Sequence, residues 1–302
     1  MTFDNVVCYN RRVISEWGYD DPADLYRNDE WDWDIFYDMC LDFSDGDEDR
    51  YALDGYAYAS GLMESTGVQL FGLSEDGKFY SNVDSPEIER SQSLVYDLVK
   101  NGCTYQNGGW ALRGGDFGGG MAEGKCLFYI IATWAFTGRV EEISPVWGDV
   151  SQNEVMFVPL PRDPQGDGNY YLHSGIQGYS IIKGAYNPDG VALLAMCERF
   201  KIIDPTVIDI DKKQLKDIYL WSDEMLDMYD ECYEIAASHP VMNLTNNLPD
   251  NLANAIASLQ NGTIHGGSEP SSWAQLKEKY GEQIEYYIEE LNQTIADFNA
   301  QA

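Results

Sequence analysis

Apolar positions along this chain alternate between short continuous runs and stretches with helical spacing. Asn5–Asn10 (NVVCYN) is a short apolar run and predicts a strand. Trp33, Phe36, Tyr37, Cys40 and Leu41 recur at three and four residues, which predicts a helix over Trp33–Phe43. Phe71–Tyr80 carries an Asp-Gly turn between two apolar runs, a hairpin signal. Ser85-Pro86-Glu87 then reads as an N-cap, a first-turn proline and a first-turn acid. Ile88, Leu94, Val95, Leu98 and Val99 give that helix its apolar face, and Gly102 follows its end. A Gly-rich loop, Gly114–Gly120, leads into Cys126–Ala132, a nearly continuous apolar run that predicts a buried strand ending just before Trp134. Val155–Leu160 predicts another strand, stopped by Pro159 and Pro161, and Gly178–Ile182 a third. A helix is expected from Pro188 to Arg199. The last helix is opened by a Ser272/Gln275 capping box and carries apolar residues from Trp273 to Phe298. Short strands alternating with helices imply an α/β fold.

At 302 residues the chain has room for two ordinary domains. A net charge of −32 repels phosphate backbones and excludes nucleic acid as a main partner. No run approaches the ~20 apolar residues that span a bilayer. Met1-Thr2-Phe3-Asp4 does not open a signal peptide, so an export signal is expected to lie outside these residues. The six cysteines form no CxxC pair; their wide spacing favours free, mostly buried thiols.

Motifs for chemistry are weak. Gly119–Lys125 fits seven positions of a phosphate-binding loop, but Cys126 replaces the Ser/Thr and a strand follows where a helix is required. Asp45, Asp47 and Asp49 begin a calcium-loop rhythm that Arg50 and Tyr56 break, which leaves a solvated acidic loop. His173, His239 and His265 show no metal-ligand spacing, and no Gly-x-Ser-x-Gly elbow occurs. Three Asn-x-Thr matches carry no weight in so short a pattern. With 51 acids, a glycosidase-like pair of carboxylates cannot be singled out. Aromatic residues are more informative, because flat sugar faces pack on rings. Trp31, Trp33, Tyr56, Tyr58, Trp110, Trp134 and Trp147 are candidates, although burial in a core is the commoner fate of such rings. Trp134 stands out, since it follows a buried strand, where α/β folds place ligands.

Five segments in order resemble the extracellular solute-binding proteins of bacterial ABC importers that include maltose-binding protein. They are Val7-Cys8-Tyr9-Asn10-Arg11-Arg12; Glu16–Pro22 followed by Trp31–Phe36; Phe79–Gly102; Met121–Trp134, with Leu127 near a usual Met position; and Val158-Pro159-Leu160-Pro161 followed by Gly175–Pro188. The resemblance implies a type II periplasmic-binding-protein-like fold of two α/β lobes, with a discontinuous and incomplete first lobe. Residues 1–152 and 241–302 would form the C-terminal lobe, and residues 153–240 the returning segment of the N-terminal lobe. It further implies non-catalytic capture of a mono- or oligosaccharide for ABC permease subunits, with no cofactor and no metal. The protein would be extracellular, as a membrane-anchored lipoprotein, or periplasmic. By resemblance the ligand-binding set is Asp54, Tyr56, Tyr58, Trp134, Gly175, Gln177 and Tyr179, with Trp134 stacking on the pyranose. A carbohydrate hydrolase and a non-transporting sugar sensor are the alternative readings.

Overall fold

The computed structural model describes residues 2–44, 50–55, 57–105, 120–175, 180–242, 244, 248–263 and 270–301. The central sheet has four strands: β2 (Val6–Asn10), β3 (Tyr51–Asp54), β6 (Cys126–Ile131) and β7 (Val155–Val158), in the order β3-β6-β2-β7. β2 lies antiparallel to both β6 and β7, whereas β3 runs parallel to β6. Every residue of β2, β6 and β7 is buried, which is why these segments read as unbroken apolar runs rather than alternating ones.

Seven helices border this sheet or continue from it. They are α1 (Arg11–Trp17), α2 (Pro22–Arg27), α3 (Trp33–Ser44), α4 (Tyr58–Glu64), α5 (Pro86–Lys100), α6 (Val140–Trp147) and α9 (Asp223–Ser238). Asn10 ends β2 and caps α1, accepting from the amides of Arg12 and Val13. α5 starts as its sequence dictates, with Pro86 in the first turn and the Ser85 hydroxyl accepting from the Ile88 amide. α9 packs on β7 and on a second, three-stranded sheet. That sheet contains β1 (Thr2–Phe3), β8 (Leu172–Gly175) and β9 (Pro240–Met242), with β8 in the middle. Met225, Met228, Cys232 and Ala236 of α9 are buried in the main core, so one helix ties the two sheets together.

A smaller apolar cluster forms around the β4 (Phe71–Leu73)–β5 (Phe79–Ser81) hairpin, α10 (Asp250–Asn261) and α11 (Trp273–Gln301). Asn292 of α11 holds the hairpin edge, donating to the Phe79 carbonyl at 2.9 Å and accepting from the Phe79 amide at 2.8 Å. The capping box of α11 is present in full: the Ser272 amide donates to Gln275 Oε1 at 2.9 Å and the Gln275 amide to Ser272 Oγ at 3.4 Å. α7 (Pro188–Ile203) and α8 (Pro205–Tyr219) complete the helices, packed mainly on each other.

Two expectations change. Val155–Val158, assigned from sequence to the returning segment, is an edge strand of the central sheet, hydrogen-bonded to β2. Its buried apolar residues pack against α2 and α9. Ser180–Ile182, expected in a strand, is exposed and has no strand partner among the described residues; the apolar character of Ile181 and Ile182 alone does not supply one. The acidic run 45–49 and the Gly-rich residues 114–119 lie outside the described residues. All six cysteines are free, five of them buried and Cys197 exposed. No described helix is long and apolar enough to cross a membrane.

Candidate functional site

Parallel strands β3 and β6 are neighbours, with Leu53 opposite Phe128 and Asp54 opposite Tyr129. Their C-terminal ends therefore open on the same side of the sheet, the side on which open α/β sheets place ligands. β3 ends at Asp54, and the chain turns there through Gly55. Gly55 has φ +126° and passes so near the Ile130 carbonyl oxygen that a Cβ would collide with it. Only glycine fits both constraints. Gly55→Ala is expected to destabilise the fold by about 1–3 kcal/mol, the cost of a strained backbone position, seen as a lower urea midpoint. An unchanged midpoint would show that this turn relaxes freely.

β6 runs out at Ile131 and continues into a 3₁₀ turn, Thr133–Phe136. Ala135 and Phe136 are buried, while Trp134 is 47% exposed. The turn is fixed on several sides. The Ala135 amide donates to the Ala132 carbonyl at 3.1 Å, and the Thr137 hydroxyl to the Trp134 carbonyl at 2.8 Å. Trp221 Nε1 donates to the Phe136 carbonyl at 3.0 Å from the other side of the core. Trp134 is thus a partly exposed indole on a rigid turn at the end of a buried strand.

The other candidate rings take the bland fate. Trp31, Trp33 and Trp147 are buried, and each indole of the first two has an internal acceptor: Pro159 O for Trp31 and Ser65 Oγ for Trp33. Tyr58 is also buried, in the first turn of α4, so its ring belongs to the core rather than to an exposed stacking surface. Asp54 is fully buried, and its Oδ1 accepts from the Gly55 amide at 2.7 Å. The carboxylate thus stands at the last residue of β3, against the turn through Gly55. Gly175 lies on the other sheet, opposite Thr2. Tyr56, Gln177, Tyr179 and Trp110 lie outside the described residues. Of the seven expected residues, then, Asp54, Tyr58 and Trp134 gather around the β3–β6 end, and Trp134 alone of these three presents an exposed side chain. Trp221, which sequence reasoning passed over, positions the turn. Its signal was a tryptophan directly before the Ser222-Asp223-Glu224 helix start.

A polar cluster joins β8 to α4. His173 Nδ1 lies 3.2 Å from Glu64 Oε1, and Asn5 Nδ2 donates to Glu64 Oε2 at 3.3 Å. Burial opposes the charged imidazole, but the hydrogen bond and charge of Glu64, with Asp4 nearby, win and raise the His173 pKa. Asp4 is itself shifted up, mainly by burial. A raised folded-state pKa means that the stabilisation is fully present below the unfolded value, near 6.5, and fades as pH rises through the folded value. Melting temperature is therefore expected to fall, as pH rises above about 6.5, by more in the native chain than in His173→Gln. Equal slopes would remove the pair from the stability balance.

Comparison with known proteins decides the fold. No protein-family model matches the sequence, and no curated protein matches it. Solved structures do match. The GacH receptor of Streptomyces glaucescens GLA.O, solved unliganded and with acarbose, is 15% identical with a TM-score of 0.62, over 95% of this chain and 70% of that one. The sugar-binding protein MalE of Xanthomonas citri is 14% identical with a TM-score of 0.61, over 98% of this chain and 71% of that one. The maltose/maltodextrin-binding domain MalE of Bdellovibrio bacteriovorus, bound to maltotriose, is 12% identical with a TM-score of 0.58, over 96% and 71%.

The chain has the fold of ABC-transporter sugar-binding proteins. The type II periplasmic-binding-protein-like α/β architecture expected from sequence is therefore the one adopted, over about seven-tenths of the length of those relatives.

Proposed function

We propose that the chain captures a carbohydrate without transforming it, at the C-terminal ends of β3 and β6. The observation that carries this reading is Trp134: a 47% exposed indole held on a turn whose next two residues are buried. An exposed ring fixed by its backbone gives a flat apolar face at little cost in conformational entropy, which suits the C–H face of a pyranose. The fold shared with sugar-binding proteins supports the same class of ligand. Asp54 and Gly55 form the turn at the end of β3, the strand next to β6. Gly175, Gln177 and Tyr179 remain assigned by resemblance to the opposing wall. Residues 1–152 with 241–302 act as one lobe and 153–240 as the returning part of the other, with β7 shared into the larger sheet. Delivery to ABC permease subunits, from the outer surface as a membrane-anchored lipoprotein or from the periplasm, completes the proposal. Among the described residues no group of three or more His, Cys, Asp or Glu is placed to hold a metal ion.

Titration with maltotriose, acarbose and single sugars, followed by tryptophan fluorescence and calorimetry, tests the reading. Saturable binding with no release of reducing ends is expected. Sustained release of reducing ends would move the protein to the hydrolases, and failure to bind any sugar would remove the capture role.

A further inference from the structure

Arg139 is an unpartnered arginine in a chain with carboxylates to spare. The sequence holds 51 acidic against 19 basic residues. Arg11, Arg12, Arg27, Arg90 and Arg162 all pair with carboxylates, and Arg50 lies over the Trp17 ring. Two arginines among the described residues lack any such partner: Arg199 on α7, and Arg139, which stands five residues after Trp134. The Arg139 side chain is exposed. Glu141 and Glu142 follow it in the first turn of α6, yet neither forms an ion pair with it among the described residues. At a helix start those two acids interact favourably with the N-terminal end of the helix dipole instead.

The backbone of Arg139 is fixed close to Trp134. The Thr137 amide and hydroxyl both donate to the Trp134 carbonyl, at 3.2 and 2.8 Å, and close the turn between them. The Arg139 carbonyl then opens α6 by accepting from the amides of Glu142 and Ile143 at 2.9 and 3.0 Å. In between, Gly138 packs so closely on buried Ile143 that a Cβ would stand 2.9 Å from Ile143 Cδ1. A 3₁₀ turn of three steps spans about 6 Å, and two further residues add at most about 7 Å. The α-carbons of Trp134 and Arg139 are therefore no more than about 13 Å apart, and both side chains are exposed. A short oligosaccharide can touch both.

We infer that Arg139 selects carbohydrates that bear a carboxylate, uronic-acid oligosaccharides, at the Trp134 site. The inference rests on the capture reading above and names its class of ligand. A guanidinium presents a planar fork of donors that fits a carboxylate through two parallel hydrogen bonds. Such charge-assisted bonds are about twice as strong as bonds between neutral groups, so a carboxylate gains more from this side chain than a hydroxyl does. The net charge of −32 opposes an anion at long range. Salt screens exposed charges beyond about 8 Å, so the charges in contact with the ligand decide. The carboxylate of Asp54 at the end of β3 is fully buried, and the Gly55 amide offsets part of its charge.

Calorimetry of the full chain with trisaccharides of galacturonate, mannuronate and glucuronate, each beside its neutral methyl ester, tests this. The ester keeps the ring faces and removes the charge. At least one acid is expected to bind about tenfold or more tighter than its ester, and the gap to narrow as salt rises from about 0.05 to about 0.5 M. Arg139→Gln is expected to bring the acid down to the level of its ester, with the melting temperature unchanged because the side chain is exposed and unpaired. Arg139→Lys keeps the charge without the fork and should recover only part of the gap. Trp134→Ala is expected to weaken acid and ester alike, which separates the ring from the charge. If acids bind no tighter than their esters, the capture reading stands and this inference falls. An acid preference that survives Arg139→Gln overturns it too, by placing the charge recognition elsewhere. If no sugar binds, neutral or acidic, the capture reading itself fails and takes the inference with it.

Discussion

Trp221→Ala is expected to remove about 3–5 kcal/mol of stability, the range for truncating a buried tryptophan. A typical domain has only about 5–15 kcal/mol in total, so the variant should be partly unfolded well below the native denaturation midpoint. The expectation rests on position. Trp221 is buried, with its ring centroid 5.6 Å from that of Phe157 on β7 and 5.6 Å from that of Tyr229 on α9. Phe157 in turn stacks on Phe136 at 6.0 Å. One ring thus fastens α9 to the central sheet and to the turn that carries Trp134. Its Nε1–H also satisfies the Phe136 carbonyl, which would otherwise lose its partner inside the core. Trp221→Phe separates the two effects. It keeps most of the apolar bulk and removes the donor, so a loss of about 1–2 kcal/mol is expected. Urea unfolding of both variants checks this. A midpoint for Trp221→Ala within error of the native value would mean that α9 is not anchored through this ring.

Much of the fold was legible because local signals and tertiary packing agree in it. β2, β6 and β7 are buried on both faces, so their sequences are continuous apolar runs that no surface pattern obscures. α5 and α11 carry complete caps, and both begin where those caps stand. α9 was missed although Met225, Met228, Cys232 and Ala236 lie at helical spacing on its buried side. Acids between those positions dilute the pattern, and the start signal at Ser222-Asp223-Glu224 is the clearer one. The failure at Ser180–Ile182 is of another kind. The apolar pair Ile181-Ile182 states a preference for burial but cannot name the neighbour, and among the described residues no strand pairs with it. The aromatic residues make the same point in the site. Trp31, Trp33, Tyr58, Trp134 and Trp147 look alike in sequence, and exposure, which depends on everything folded around them, separates Trp134 from the rest. What marked it beforehand was its place after a buried strand, a feature of topology and not of composition.

Trp134→Ala is expected to weaken carbohydrate binding at least about tenfold, with the melting temperature left within a degree or two of the native value. The ring is half exposed, so its removal opens no cavity in the core. Its backbone is held independently by Ala132, Thr137 and, through Phe136, by Trp221. Stacking contributes about 0.5–1.5 kcal/mol beyond the burial of apolar area, and the area itself adds a comparable amount. The sum, about 2 kcal/mol, exceeds the 1.4 kcal/mol that corresponds to a factor of ten in Kd. Trp134→Phe should recover part of the loss, because a smaller ring still offers a flat face. The contrast with Trp221 makes the pair decisive. Truncation at 221 acts on stability first, and truncation at 134 on affinity alone. Lost folding in Trp134→Ala would return the residue to the core. Intact folding with unchanged affinity would place the sugar elsewhere and leave the β3–β6 end without its central contact.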